Sequence, residues 1–339
     1  MFPREGVGPE FQAAVHGALG PRFRGGTVAL TYDRPALVAH ARATIAKGSQ
    51  SFAAASTLFD PATRERAQLL YTWCRACDDI ADGQQLGHGM SPVQDASAKL
   101  SLMRTRTAQA LAGETTGDPA FDALGVVAAE TRLPARFAHD LIDGFALDAQ
   151  EWRPRSEGDL MRYCYHVAGA VGCMMAVVMG VDPADADTLD RACDLGLAFQ
   201  LANIARDIGE DDAAGRCYLP TEWLAEIDIP PGEHMKPPYR PRLAMLARRL
   251  ADRAEQYEAS ARTGAAALSF RSAWAVLAAA GIYGDIAREV AKRGPHAWDR
   301  RVSTGRSDKL GWVVVAGWQA MRRHMLPTVT RAGLWTRER

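Results

Sequence analysis

The chain has 339 residues, of which 47% are hydrophobic and 24% charged, enough to bury one large core. Forty basic residues balance forty acidic ones, so the molecule carries no overall field to draw in nucleic acid, and a DNA or RNA partner is not expected. Six cysteines, at 74, 77, 164, 173, 193 and 217, sit inside apolar helical patterns and form no disulfide framework.

Met1 to Gly26 mixes charge, Gly and Pro without a continuous apolar run, which reads as no export signal and predicts a cytoplasmic location. From there helical periodicity dominates and alternating β-branched runs are scarce. The spacing predicts helices over 34–47, 61–82, 93–112, 119–131, 134–150, 157–179, 183–210 and 240–261. Two more follow at 271–292 and 307–325. Asp60-Pro61, Asp118-Pro119, Leu133-Pro134, Asp182-Pro183 and the Pro-rich stretch from Ile229 to Pro241 punctuate them. The fold class is therefore all-α. A 1–30 extension, a helical domain over 31–325 and a basic tail over 326–339 make up the expected layout, with one bundle around a central cavity.

Within the second helix, Asp78-Asp79-Ile80-Ala81-Asp82 places carboxylates along one face that also carries Tyr71 and Arg75. Asp is a poor helix-interior residue, and these follow the otherwise apolar Tyr71-Thr72-Trp73-Cys74, which favours a cation site over a solvated acidic face. Cys74 and Cys77 form one C-x-x-C, but no second pair of ligands accompanies it, so a structural role for the thiols is expected.

The run from Val167 to Val181 is apolar but falls short of the roughly 20 residues needed to span a bilayer, and reads as a buried helix. Val167, Val171, Met174, Met175 and Val178 are candidates for a cavity wall or for plain core. Further on, Asn203, Asp207 and Asp211 are spaced four apart, and Gln200 lies three residues before Asn203, giving a second oxygen-rich stripe in apolar surroundings. Carboxylates buried there need cations. Arg206 sits within the stripe, and the Gly215-Arg216 turn after it offers a planar fork to phosphate oxygens. Two such stripes facing each other across a bundle would bridge metal ions to diphosphates.

From Arg288 onward basic residues outnumber acidic ones and are interleaved with Trp298, Trp312, Trp318 and Trp335. That region either rests on anionic lipid headgroups or is a solvated basic face. A peripheral position on the inner membrane face is the corresponding expectation.

Together CDDIADG, YCYHVAGAVG and NIARDIGEDDAAGRCYLP resemble the squalene and phytoene synthase family, over about Lys47 to Leu310, including Ser49-Gln50-Ser51-Phe52 and Arg301-Val302-Ser303. The resemblance implies an isoprenoid-synthase-type bundle and a prenyl transferase. Two geranylgeranyl diphosphates would join head to head through a cyclopropyl diphosphate to phytoene, in carotenoid biosynthesis. By the same resemblance Asp78, Asp82, Asn203, Asp207 and Asp211 would hold Mg²⁺ or Mn²⁺. Arg75, Arg206, Arg216, Tyr71 and Tyr283 would contact or orient the diphosphates, and Ser49, Ser51, Tyr163 and Gln200 would line the site. NADPH is not expected, while association with other carotenoid enzymes is. Gln50 stands where many family members carry a basic residue, so a phosphate contact there is missing or supplied by Lys47. The alternatives are a C30 dehydrosqualene or squalene synthase using farnesyl diphosphate, and a non-catalytic scaffold, which would tolerate loss of the aspartates that this chain retains.

Overall fold

A computed structural model describes residues 33–48, 53, 55–82 and 96–338, and among them lie twelve α-helices of defined bounds, a π-helical turn and no strand. In chain order they are α1 (Arg34–Gly48), α2 (Pro61–Asp82), α3 (Ala96–Leu111), α4 (Pro119–Thr131), α5 (Ala135–Ala149) and α6 (Glu157–Cys164). After the π turn (Tyr165–Gly169) come α7 (Ala170–Val178), α8 (Ala186–Ala213), α9 (Thr221–Glu226), α10 (Arg240–Gly264), α11 (Phe270–Arg293) and α12 (Arg306–Met321).

Local chemistry sets these boundaries. Asp118 accepts the Ala120 N–H ahead of Pro119, Ser156 and Asp159 form a capping box, and Asp185 and Ser269 cap α8 and α11. The long helix expected over 157–179 runs unbroken from Glu157 to Val178, but one π turn interrupts its α geometry at Tyr165–Gly169. Periodicity does not reveal such a turn, because one extra residue shifts the apolar face by only a fraction of a turn. The short helix α9, which the periodicity does not predict, buries Trp223 and Leu224.

Helix α8 is the central element and packs against α7, α10 and α11, while α12 covers α11. A second group, α1, α3, α4 and α5, gathers around α2. Helices α7 and α8 cross at very close range. A Cβ on Gly172 would lie 2.3 Å from the Ala192 carbonyl oxygen, and one on Gly196 would lie 2.4 Å from that of Ala168. Only glycine permits this approach. Although the segment Glu157–Val178 is long and apolar enough to cross a membrane, 67% of its apolar window is buried inside the bundle.

None of the six cysteines is paired in a disulfide, and all but Cys217 are buried. Burial pushes the Cys77 thiol well above its usual range, so the C-x-x-C pair is inert core.

The C-terminal region turns part of its aromatic and basic side chains inward. Trp298 donates to the Ala205 carbonyl, Trp312 donates to Asp285 and lies against Gly281, and Trp335 packs on Tyr165. Of the four tryptophans only Trp318 is exposed, because the other indoles pack partly into the body and at least two of their N–H groups find acceptors there. Arg331 and Arg337 are turned inward onto Asp190 and Asp194 of α8. Residues 326–338 are thus a strap bound to the body.

Candidate active site

A cavity of about 970 Å³ runs along α8. Its walls come from the π turn, α7, α8, the end of α10, α11, α12 and the 55–59 segment, and are overwhelmingly apolar. Val167, Val171 and Met175 line it, spaced four apart on one face, whereas Met174 and Val178 point into the core. The wall expectation therefore holds for three of the five.

Polar groups gather at one end. Gln200, Asn203 and Arg206 line the cavity from α8, each less than a tenth exposed, and Tyr283 reaches it from α11, stacked on Phe199 with ring centres 4.1 Å apart. The amide oxygens Oε1 of Gln200 and Oδ1 of Asn203 are buried and accept no hydrogen bond among the described residues. An unmet buried acceptor costs about 1–3 kcal/mol, so these two fit a site completed by a cation or a bound ligand.

One turn further, the Arg206 Nε donates to Asp207 at 2.7 Å and Arg301 contacts the same carboxylate at 3.2 Å while also bonding Glu210. Arg216 approaches Asp211 at 3.6 Å. Burial pushes the Asp211 carboxyl up to about 6; Arg216 opposes the rise, and the negative charges of Asp207, Glu210 and Asp148 add to it. Such a crowd of partly buried carboxylates is stabilised by divalent cations.

On α2, Tyr71, Arg75 and Asp78 follow one another along a stripe that ends at Asp82. Arg75 is buried and pairs with Asp79 at 2.8 Å, with Asp78 at 3.9 Å. The Tyr71 hydroxyl lies against Gly48 at the end of α1. Ser49 and Ser51 fall outside the described residues, as does the side chain of Asp82. Among the described residues no three acidic, histidine or cysteine side chains come together closely enough to hold a metal by themselves. The donor set nevertheless suits Mg²⁺, which takes one or two carboxylates and fills its remaining positions with water and substrate phosphate oxygens.

Tyr163 stands apart from the cavity wall. It is buried, stacks between Trp152 and Tyr218, and donates to Asp148 at 3.0 Å. Burial raises its hydroxyl well above the usual phenol range, so it remains a donor and holds the Asp148 carboxylate near Asp211. One group at this end, Arg301, is not among the site candidates of the sequence reading. Arg301 lies about ninety residues from its partner Asp207, and no local pattern marks that pairing.

A family model described as squalene/phytoene synthase matches residues 45–308. A phytoene synthase of Pseudescherichia vulneris is 46% identical over 90% of this chain and 99% of its own, and a 15-cis-phytoene synthase of Pantoea ananas is 46% identical over the same shares. Among solved structures, a dehydrosqualene synthase in complex with a ligand superposes with a TM-score of 0.76 at 26% identity, covering 86% of this chain and 98% of that one. The squalene synthase HpnC from Alicyclobacillus acidocaldarius, with a TM-score of 0.68 at 22% identity, covering 78% of this chain and 97% of its own, shares the fold.

Proposed function

As the chain belongs to the squalene/phytoene synthase family, we propose that it joins two geranylgeranyl diphosphates head to head, giving phytoene, two diphosphates and two protons. It acts as a prenyl transferase of the phytoene synthase type. The observation that carries the choice of substrate class is the cavity along α8, apolar for most of its length and polar at one end.

Each half of that cavity meets one demand of the reaction. Leaving diphosphate requires concentrated positive charge, which Arg206 and Arg301 supply at the polar end. Mg²⁺ held by Asn203, Asp207, Asp211, Asp78 and Asp82 would add the rest when bound, neutralising the diphosphate oxygens. The carbocations left behind require a dry wall that does not quench them, and Val167, Val171, Met175, Leu195 and Phe199 provide it. In the first half-reaction one diphosphate leaves and its carbon bonds to the double bond of the second chain, forming a cyclopropyl diphosphate as a proton departs. In the second, the remaining diphosphate leaves, the ring rearranges and a further proton is lost, so no reductant is consumed.

The test is incubation with Mg²⁺ and either C15 or C20 allylic diphosphate, with and without NADPH, followed by analysis of the extracted hydrocarbon. A C40 product formed without NADPH is expected. A C30 product from the C15 substrate in preference would overturn the assignment, and dependence on NADPH would move it to squalene synthesis.

The same reading extends to location. Leu310, Val314, Trp318 and Met321 recur along α12 and are 54–66% exposed, with Arg306 and Arg322 at its two ends. Arg306, Leu310 and Val313 also line the cavity, so this stripe continues into its wall. We therefore place the enzyme peripherally on an anionic bilayer, from which an apolar substrate chain enters and to which the hydrocarbon leaves. The protein should sediment with phosphatidylglycerol vesicles, and Val314→Asp with Met321→Asp, neither of which lines the cavity, should lower binding about tenfold or more. Wild-type protein left in the supernatant at low salt would exclude this location.

A further inference from the structure

At the end of the cavity away from Asn203 and Arg206, the wall is made by Thr188, Arg191, Gly264, Ala265 and Leu268. Arg191 lies twelve residues before Asn203 on the same helix, about 18 Å along its axis. It is a cation at the floor of an apolar chamber, and none of the steps above uses it. Its side chain is fixed from three directions: Nε bonds Asp187 at 3.2 Å, and the terminal Nη1 donates to the Ser260 carbonyl at 3.2 Å and to the Val329 carbonyl at 3.1 Å. Its stem runs against Gly264, where a Cβ would sit 2.9 Å from the Cβ of Arg191.

The strap and the turn before it complete this floor. Val329 N–H donates to Thr263 Oγ1 at 3.1 Å, and Arg323 Nε donates to the carbonyl of Leu268 at 3.0 Å. Arg331 then ties the strap to Asp194, one turn beyond Asp190 on α8.

We propose that Arg191, held by the C-terminal strap, is the stopper that sets the longest prenyl chain the cavity accepts. The inference rests on the substrate class assigned above. Two physical effects act together. The stem and guanidinium occupy the space a longer chain would enter, and pressing an apolar chain end onto a guanidinium strips its surroundings of polar contact without replacing it. Removing the side chain leaves no charge buried, because Asp187, its charged partner, is 75% exposed and regains water, while the Ser260 and Val329 carbonyls each lose one donor.

The experiment measures dissociation constants for unreactive S-thiolodiphosphates of C15, C20 and C25 chains in the presence of Mg²⁺, with hydrocarbon formation from the matching diphosphates alongside. For wild-type protein the C25 analogue should bind at least about tenfold more weakly than the C20 one. Arg191→Ala should close that gap and yield products containing C25 units, with C15 binding unchanged because the shorter chain stops above the floor. Arg191→Met, which keeps much of the stem, should close it only in part. A variant of opposite sense, Ala265→Leu, should weaken C20 while sparing C15, so the proposal stays testable even where Arg191→Ala does not fold. Equal C25 to C20 ratios in wild type and both Arg191 variants, or an unchanged C20 to C15 ratio in Ala265→Leu, would overturn it. Analogue binding without any hydrocarbon product would sink the reaction assigned above and leave the stopper to stand or fall on the binding ratios.

Discussion

Replacing Asp207 by asparagine should lower turnover by about 10²–10³-fold or more while leaving the helical circular dichroism spectrum unchanged. The expectation follows from where the carboxylate sits. It lies one turn after Asn203 and one before Asp211, at the polar end of the cavity, and its side chain is 20% exposed, so no core packing depends on it. Asparagine keeps the shape and one acceptor for Arg206, so one of the two hydrogen bonds survives and the other is lost. What disappears is the negative charge that would hold a divalent cation against a diphosphate. Asp78→Asn tests the opposite stripe in the same way, since Asp78 is 13% exposed and 3.9 Å from Arg75. Both variants should also require more Mg²⁺ for half-maximal rate. Full activity in both would refute the assignment of these aspartates to the metal site.

How far the sequence alone reaches can be judged from the same residues. The stripe Gln200, Asn203, Asp207 and Asp211 was legible because one helix carries it and helical spacing puts these side chains on one side. The walls were legible only in part: Val167, Val171 and Met175 share a face, but that face differs from the one bearing Met174 and Val178, and a run apolar all round does not say which side meets a cavity. Tyr163 illustrates the reverse problem. Motif resemblance brought it to the site, whereas its hydroxyl serves Asp148 and Tyr218 packs over its ring. Contacts made across long separations left no trace in local pattern, as with Arg301 on Asp207 and Arg191 against Val329.

The basic tail is where composition misled most, and it carries the largest stability effect. Net positive charge after Arg288 suggested a cationic surface, yet Arg331 spans Asp194 with two contacts of 2.8 Å and Arg337 meets Asp190 at 2.9 Å. Asp194 is fully buried and also accepts from Ser260 at 2.5 Å. Burial raises the Asp194 carboxyl even with Arg331 opposing that rise. Arg331→Ala removes the opposing charge and strands the carboxylate, which should cost about 3–5 kcal/mol and lower the melting temperature by on the order of 10 °C. The pH dependence has a definite sign. A carboxyl whose folded-state pKa lies above its unfolded value binds protons more readily when folded, so the deficit of the variant should shrink as pH falls and the acid becomes neutral. Asp194→Asn added to Arg331→Ala should recover part of the loss at neutral pH, because no charge is then left to bury. A melting temperature for Arg331→Ala within a degree of wild type at pH 7 would show that the strap is held by its other contacts, the Arg191 carbonyl bond and the Trp335 N–H to Tyr257 among them. The expected result instead makes one ion pair in the body of α8 responsible for keeping the strap, and with it the floor of the cavity, in place.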